Sequence, residues 1–469
     1  MQPPYNTTLF IFRRDLRLED NTALTKALKN SKEVIPCFII NPDQVGKSNN
    51  YRSMHGIQFM VQSLLDLNAW LNRHGTQLYL FHGQPDVVVS TLLESLSIDA
   101  VYVNKDYTPY SKHRDETLAR MCKEQGVSFY TEKDVLLHEP EEAVSAQGKP
   151  YQIFTPFFRK NSLLVVEKPV FESHTNYPAR YTTKTIQGTL SISSLESLLV
   201  PHKTVNAVQG GRTSSLGLLH SIKKFKDYAT SRDFPEKDTT LLSASLKFGT
   251  LSVREVYYSI VEQLGPQHPL IRQLFWRDFF YHVAYFNPFV FGHAFQGKYD
   301  GLEWNTDRAA FTRWCEGTTG FPIIDAGMRQ LKEVGYMHNR ARLLTGSFLV
   351  KDLHCNWQWG ERYFAQNLTD YDPCINNGNW QWVASTGCDH QPYFRIFNPW
   401  LQQKKFDPEC IYIKRWVPEL RNVAPHVIHT WFKQAHTIPG YPSPMVVHER
   451  EVVLTKNRYK NVSPNESNY

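Results

Sequence analysis

The densest run of chemistry-bearing residues is Asp370-Tyr371-Asp372-Pro373-Cys374-Ile375-Asn376-Asn377-Gly378-Asn379-Trp380-Gln381-Trp382. Two acids, three Asn amides and two indoles crowd into it. Buried amides need hydrogen-bond partners, so this density suits a polar heteroaromatic ligand; an Asn/Gly-rich surface turn is the competing reading. In Gln273-Leu-Phe-Trp276-Arg277-Asp278, Gln273 and Trp276 are three apart and share a helix face. Arg277 and Asp278 point elsewhere, to pair or to bind phosphate; a core aromatic beside a surface ion pair is the plainer alternative. In Tyr336-Met-His338-Asn339-Arg340-Ala-Arg342-Leu343, Asn339 and Leu343 share a face. An amide there can read a nucleobase edge or a flavin ring, or cap the helix. Finally, Asp238-Thr239-Thr240-Leu241-Leu242-Ser243 clusters hydroxyls before a helix. Such a cluster donates to phosphate or serves as helix caps.

Composition frames these segments. The chain has 469 residues, 41% hydrophobic, 21% charged and 13% aromatic. That is a globular composition of two or three domains at roughly 100–200 residues each. Disordered, collagen-like and disulfide-scaffold classes are excluded. No apolar run approaches the ~18 residues of a membrane span, and Met1–Thr8 shows no basic-then-apolar signal. The seven cysteines are scattered without a C-x-x-C pair, so no metal site is expected. Reduced thiols in a cytoplasmic protein follow. A net charge of +7 permits a phosphate-backbone partner without requiring one.

The elements that must position these residues fall into two patterns. The first ~130 residues alternate strand and helix: strands at Leu9–Arg13, Val34–Ile40, Leu78–Phe81 and Ala100–Val103, helices at Asn21–Asn30, Met54–Asn72, Pro85–Leu96 and Tyr110–Gln125. Such alternation predicts a parallel, Rossmann-like sheet covered on both faces. No G-x-G-x-x-G follows the first strand, so a standard dinucleotide site there is unsupported. Residues 132–206 lack periodicity and read as an interdomain connector over the surface. From 207 to 469 helical patterns predict an all-α domain: Ser215–Ser231, Val253–Leu264, Leu270–Tyr285, Arg308–Cys315, Ile323–Val334, Arg340–Leu353 and Trp359–Asn367. The polar tail after Pro442 carries no strong structural signal.

Together these segments resemble the DNA photolyase/cryptochrome family almost end to end. Phe12-Arg13-Arg14-Asp15-Leu-Arg17-Leu-Glu19-Asp20-Asn21 is similar to the family's opening strand–turn. Gly320-Phe-Pro-Ile-Ile-Asp325-Ala-Gly-Met-Arg329, Met337–Arg340, Asn376–Trp382 and Tyr393-Phe-Arg-Ile-Phe-Asn398-Pro399 are similar to further signatures. Met337–Arg340 and Gly360–Phe364 look most like class I cyclobutane pyrimidine dimer photolyases. The resemblance implies an α/β N-terminal antenna domain over 1–131 and a helical domain holding FAD over 207–469. By matching motifs, Tyr228 and Thr239, Thr240, Leu241, Leu242 and Ser243 would hold the FAD phosphates. Arg277, Asp370 and Asp372 would flank the cofactor, Arg342 would pair Asp370, and Asn376 would sit at the flavin N5. The implied chemistry is light-driven electron transfer from reduced FAD to a pyrimidine dimer in DNA and back. Trp276 and Trp382 would wall the dimer pocket, with Asn339 and Gln273 on the pyrimidine edges and Leu343 beside them. Arg232, Arg340 and Gln402 match positions that touch DNA, with Lys404 and Lys405 adding charge. Trp380, Trp357 and Trp304 match the family's electron relay, from the flavin outward. A second, antenna chromophore, a folate or a deazaflavin, is also implied. A monomer is expected.

Three departures matter. Glutamate is usual where Gln273 stands; glutamine offers only neutral hydrogen bonds to the dimer. Methionine is usual where Leu343 stands, a minor change. Folate-binding members carry Asn-Glu where Tyr110-Ser111 stands. Gln273 is also usual in (6-4) photolyases and animal cryptochromes, yet the histidine pair of (6-4) enzymes is replaced by Asn339 and Leu343. The rival readings are a blue-light photoreceptor without repair and a non-catalytic DNA-binding flavoprotein. Trp276, Asn339 and Trp382 favour repair, and Gln273 weakens it. The short tail beyond Pro442 argues against a signalling extension.

Overall fold

The computed structural model describes residues 3–171, 174–179, 186–389, 395–433 and 439–462. Tyr393 and Phe394 of the last signature lie outside them. Strands β1 (Tyr5–Phe12), β2 (Ser31–Ile40), β3 (Tyr79–His82), β4 (Ala100–Asn104), β5 (Ser128–Glu132) and β6 (Thr189–Leu190) form one sheet, ordered β5-β4-β1-β2-β3-β6. All pairings are parallel except β3 with β6. Successive side chains point to opposite faces. Phe10, Phe12, Val34 and Phe38 therefore pack under the Thr22–Asn30 and Met54–Arg73 helices. Leu9, Ile11, Ile35 and Cys37 pack under the Pro85–Ser95 and Pro109–Glu124 helices. Two buried faces explain the unbroken apolar runs of β1 and β2. Asn21 caps the first helix, accepting from Leu24 N at 3.2 Å. The strand order reverses between β1 and β4, which opens a crevice at their C-terminal ends.

Two elements of this sheet escape the sequence reading. β5 is an edge strand whose residues are all half-buried, so it lacks a clean alternation. β6 comes from the connector, two residues long and antiparallel. The connector is not merely a surface wrap. Its Phe154–Asn161 helix sends Phe154 and Phe157 into the core of the helical half, whereas Leu195 and Leu199 join the core beneath the sheet.

Beyond β6, the described residues form helices and turns with one isolated bridge, Asn305 to Cys355. The expected Ser215–Ser231 helix is instead three pieces: Arg212–His220, a 3-10 turn at Ile222–Phe225, and Tyr228–Ser231. The Ser221 hydroxyl bonds back to Leu218 O at 2.8 Å, competing with helix continuation. The tail holds a helix, His448–Lys460. It is anchored by polar contacts: His448 Nδ1 to Asp352 at 2.5 Å, His354 Nε2 to Glu451 at 2.6 Å, and Thr455 Oγ1 to Lys351 O at 2.5 Å. A hydrophobic-pattern search does not detect such docking.

Buried charge joins the two halves. Arg17 pairs with Asp134 at 2.7 Å, and Arg254 with Asp20 at 2.9 Å and Asp134 at 2.8 Å. Arg14 pairs with Asp106 at 3.2 Å and with Asp372, which also accepts from Tyr281. Chain approach is tight there. Gly249 has φ +62°, and a Cβ on it would lie 2.1 Å from Arg14 O. Burial alone would raise the Asp372 carboxyl; Arg14 and Lys247 outweigh it and hold it below its usual range. Arg14→Met strands that carboxylate and is expected to cost about 3–5 kcal/mol at neutral pH. The wild-type advantage is present above the carboxylate range and shrinks as acid protonates Asp372. Thermal melts of both proteins at pH 7 and pH 4 check this: the gap in Tm should be smaller at pH 4.

Candidate functional site

The Pro269–Phe286 and Pro373–Ala384 helices cross at Gly378, where a Cβ would meet the Phe280 ring at 2.2 Å. Asp372 caps the second helix, accepting from Ile375 N at 3.1 Å, so this Asn/Gly-rich segment is a helix and the surface-turn reading fails. Half-buried Trp276 lies face to face with Phe154, ring centres 3.6 Å apart and planes within 7°, with Phe280 at 5.7 Å. Arg272 sits 4.8 Å over the Phe154 ring. Half-buried Trp382 donates to Asp389 O at 3.2 Å. The Gln273 amide makes only a long 3.4 Å bond to Pro269 O, and its carbonyl is unpartnered among the described residues.

The Asn339–Lys351 helix supplies the third set. His338 is its cap, accepting from Arg340 N at 3.1 Å, so exposed Asn339 is released from the capping role. Leu343 lies one turn on, half-buried. Arg342 donates to Asp370 at 2.9 Å, the expected pairing, and to Met337 O at 2.8 Å. Arg340 pairs with Asp233 at 2.7 Å and reaches Gln402 at 3.4 Å. Arg277 makes contacts the sequence could not show. It donates to Val135 O at 2.8 Å and to Asp278 at 3.0 Å. Its bond to Val135 O ties the helical half to the connector, while Asp278 is its neighbour on the same helix.

Thr239 Oγ1 meets Tyr336 OH at 2.7 Å. Leu241 has φ +54°, arching the chain ahead of the Ser243–Phe248 helix. Leu242 caps that helix without a side-chain bond, and Thr240 and Ser243 hydroxyls are unpartnered among the described residues. These hydroxyls are therefore not spent on caps. Leu242 itself is core. Half-buried Tyr228 lies beside exposed Arg232, whose guanidinium is 6.0 Å from its ring.

Asn376 is buried and donates its amide to Glu361 O at 3.0 Å, leaving its carbonyl oxygen open. Neighbouring Asn377 donates to the Glu361 carboxylate at 3.1 Å. Burial pushes the Glu361 carboxyl up to about 7 against that bond. Trp380 is buried between Gly346 and Gly360, where a Gly360 Cβ would fall 2.2 Å from its ring. Trp357 is buried and Trp304 half-buried in the same apolar cluster. The bond from Asn305 N to His354 O, 2.7 Å, brings their segments together. Phe154, on Trp276, and Glu361, bonded by Asn376 and Asn377, are neighbours of the candidate residues that sequence reasoning missed. Glu361 sits inside the Gly360–Phe364 signature, and its one signal was a lone acid among aromatics.

A cavity of about 540 Å³ opens at the C-terminal ends of β1, β2 and β4. Tyr110 and Ser111 line it, with Arg52, Arg114, Lys247 and Tyr371. Arg52 Nε and Arg114 Nη2 are buried without hydrogen-bond partners among the described residues. Burial, seconded by Arg14, pushes the Lys247 ammonium down to about 8.

The FAD binding domain of DNA photolyase matches residues 270–461, and the DNA photolyase domain matches 8–173. A deoxyribodipyrimidine photo-lyase from Alkalihalophilus pseudofirmus is 35% identical over 94% of this chain and 95% of that protein. The one from Escherichia coli is 34% identical over 97% and 98%. The chain belongs to the DNA photolyase/cryptochrome family. An archaeal photolyase from Sulfolobus tokodaii, solved with two FAD molecules, superposes with a TM-score of 0.88 at 44% identity, covering 97% of this chain and 100% of that one. A cryptochrome from Synechocystis shares the fold at 26% identity with a TM-score of 0.87, covering 99% and 100%. The helical half is thus a photolyase FAD-binding domain. Its open Asn376 carbonyl, uncommitted hydroxyls and Arg342–Asp370 pair fit a flavin dinucleotide.

The Glu361 environment is testable. A folded-state carboxyl near 7 retains a proton that the unfolded chain releases near 4.5, so stability falls as pH rises through that window. E361Q keeps the shape without the charge. It should match wild type at pH 4 and exceed it by about 3 kcal/mol at pH 8, read as Tm at both pH values.

Proposed function

We propose that this photolyase splits cyclobutane pyrimidine dimers in DNA under light, as a monomer in the cytoplasm. The observation that carries the reading is the crossing at Gly378 of the two helices that bear Trp276 and Trp382, with the unspent Gln273 carbonyl on the first of them and exposed Asn339 at the head of a third helix. Bound and reduced, FAD supplies the excited electron. The protein's residues bind and orient. Indole faces stack on flipped bases, and a weakened, distorted pair leaves the duplex most readily. Phe154 fixes the plane of Trp276, so its free edge is presented in one orientation. The Asn376 carbonyl accepts a hydrogen bond at its open face without itself titrating.

Trp380, Trp357 and Trp304 would carry charge outward. Trp380 is enclosed by Phe364 at 4.8 Å, Trp314 at 6.2 Å and glycine backbone, where an unpaired cation is costly. Half-buried Trp304 lies nearer water. That gradient favours outward movement of positive charge. The cationic cavity beside Tyr110 suits an anionic antenna chromophore, and the Sulfolobus tokodaii protein, with its two FAD molecules, makes a second flavin dinucleotide a candidate beside folate and deazaflavin. Asn339 and Leu343, without a histidine pair, favour cyclobutane dimers over (6-4) lesions. The fold alone does not separate repair from photoreception, since the Synechocystis cryptochrome shares it.

Illumination of the chemically reduced holoprotein with a thymine-dimer oligonucleotide, followed by counting restored thymines, tests the reading. Repair is expected; none from flavin-loaded, reduced protein would transfer the chain to the photoreceptor class. In the same assay Gln273→Glu should raise the yield per photon. Trp304→Phe should leave it unchanged while slowing photoreduction of the oxidised protein at least tenfold.

A further inference from the structure

Arg340 is already occupied in the free protein. Its Nη2 lies 2.7 Å from Asp233, its Nη1 is 3.4 Å from the Gln402 oxygen, and its guanidinium carbon stands 4.2 Å from the Phe406 ring centre. The cation is largely enclosed, at 14% side-chain exposure, against 43% for Asp233. Its Nε is buried and has no partner among the described residues. Around this cup stand exposed Arg232 on the adjacent residue, Lys405 5.1 Å from the Phe406 ring, and exposed Lys404, whereas the acids on the same segments are engaged elsewhere, Glu236 with Lys237 at 3.2 Å and buried Asp407 with Tyr412 N and Ile413 N. Asp233 is the acid that reaches into it.

A carboxylate with one oxygen on a guanidinium makes the contact a DNA phosphate oxygen would make. Resting on the DNA-repair reading above, we propose that Asp233 is an internal phosphate mimic that competes with the DNA backbone for Arg340. While Asp233 holds it, Arg340 is neutralised and contributes little to counterion release. A phosphate reaching Arg340 must push the carboxylate aside or lie beside it at like charge. Because phosphate contacts carry no sequence information, this lowers affinity for DNA of every kind, and chiefly limits storage of the protein on undamaged duplex. Asp233 touches no substrate; it acts through Arg340 and sets how much that cation is worth.

Fluorescence anisotropy of the FAD-loaded protein with undamaged and thymine-dimer duplexes, over a series of salt concentrations, tests the proposal. Asp233→Asn keeps the shape and an acceptor oxygen. It should tighten binding to undamaged duplex at least fivefold at low salt. It should also steepen the plot of log affinity against log salt by about one unit, the increment for one more phosphate neutralised. Arg340→Met should weaken binding more in the Asp233→Asn background than in wild type. Asp227→Asn, an exposed acid on the same segment with no side-chain capping bond, removes the same charge outside the cup and should leave the slope unchanged. An unaltered slope in Asp233→Asn, or an equal change in Asp227→Asn, overturns the proposal. So does weaker binding by Asp233→Asn, which would make the carboxylate an orienting support for Arg340. Failure of wild type to bind either duplex would instead sink the DNA-repair reading itself.

Discussion

The ion pairs between the sheet half and the helical half are the constraint on which the site depends. Arg14 and Arg254 are buried and face Asp372 and Asp20 across the boundary, and buried Arg17, paired with Asp134, donates across it to Gly249 O. A buried cation is tolerable only when paired and hydrogen-bonded. The halves therefore have one docking geometry that satisfies all three arginines, and a sliding interface would leave charges stranded. Asp372 is also the cap of the helix that carries Asn376, Trp380 and Trp382. One carboxylate thus fixes both where the domains meet and where that helix begins. The floor of the cavity at the sheet's C-terminal edge and the wall of the FAD-binding half are built from the same contact, since Arg14 and Lys247 line the cavity and both bear on Asp372.

The same economy appears in the aromatic packing. A helix crossing as close as that at Gly378 requires the missing side chain, and any Cβ would separate the Trp276 and Trp382 helices. Trp276 is then supported from behind by Phe154, which belongs to neither of those helices but to the connector. Aromatic pairs of this kind are worth roughly 0.5–1.5 kcal/mol beyond area burial, which offsets the entropy lost when a half-buried indole is held in one rotamer. The connector is accordingly part of the site, and its long course over the surface is explained by what it must reach at each end.

Much of this was legible in the sequence, for reasons that differ between elements. The βαβα alternation and the helices over 253–264 and 322–334 have strong periodicity, whereas the 269–286 helix was legible from its long apolar and aromatic run and is buried nearly all round. The Arg342–Asp370 pair followed from motif position, whereas the cavity that Tyr110 and Ser111 line at the sheet's C-terminal edge was not foreseen. β5, β6 and the His448–Lys460 helix were not legible. Each is held by partners distant in sequence rather than by its own pattern: an edge pairing, a two-residue ladder, and ion pairs to Asp352 and His354. The commitments of Arg277 and Asp372 were hidden for the same reason, as Val135 and Arg14 are far away in the chain. Local sequence registers which groups are present, whereas the folded surroundings decide which of their bonds are already spent.

That distinction selects among the amides of the Asn-rich helix. Asn377 and Gln381, four apart, are consumed. Asn377 donates to Val290 O and the Glu361 carboxylate and accepts from Gln381, which also bonds His293 O and Phe295 N. These two residues pin the 290–295 segment and have nothing left for a ligand. Asn376 and Asn379 lie on another face. Each spends one N–H on a main-chain carbonyl, Glu361 O and Ile375 O. What remains open on each amide is the carbonyl oxygen and a second N–H. A ligand recognised there must therefore offer polar groups at its edge, N–H groups for the carbonyl oxygens among them. A ring system with N–H groups on its periphery meets that condition. An apolar ring does not, because it would bury two carbonyls without hydrogen bonds at a cost of about 1–3 kcal/mol each.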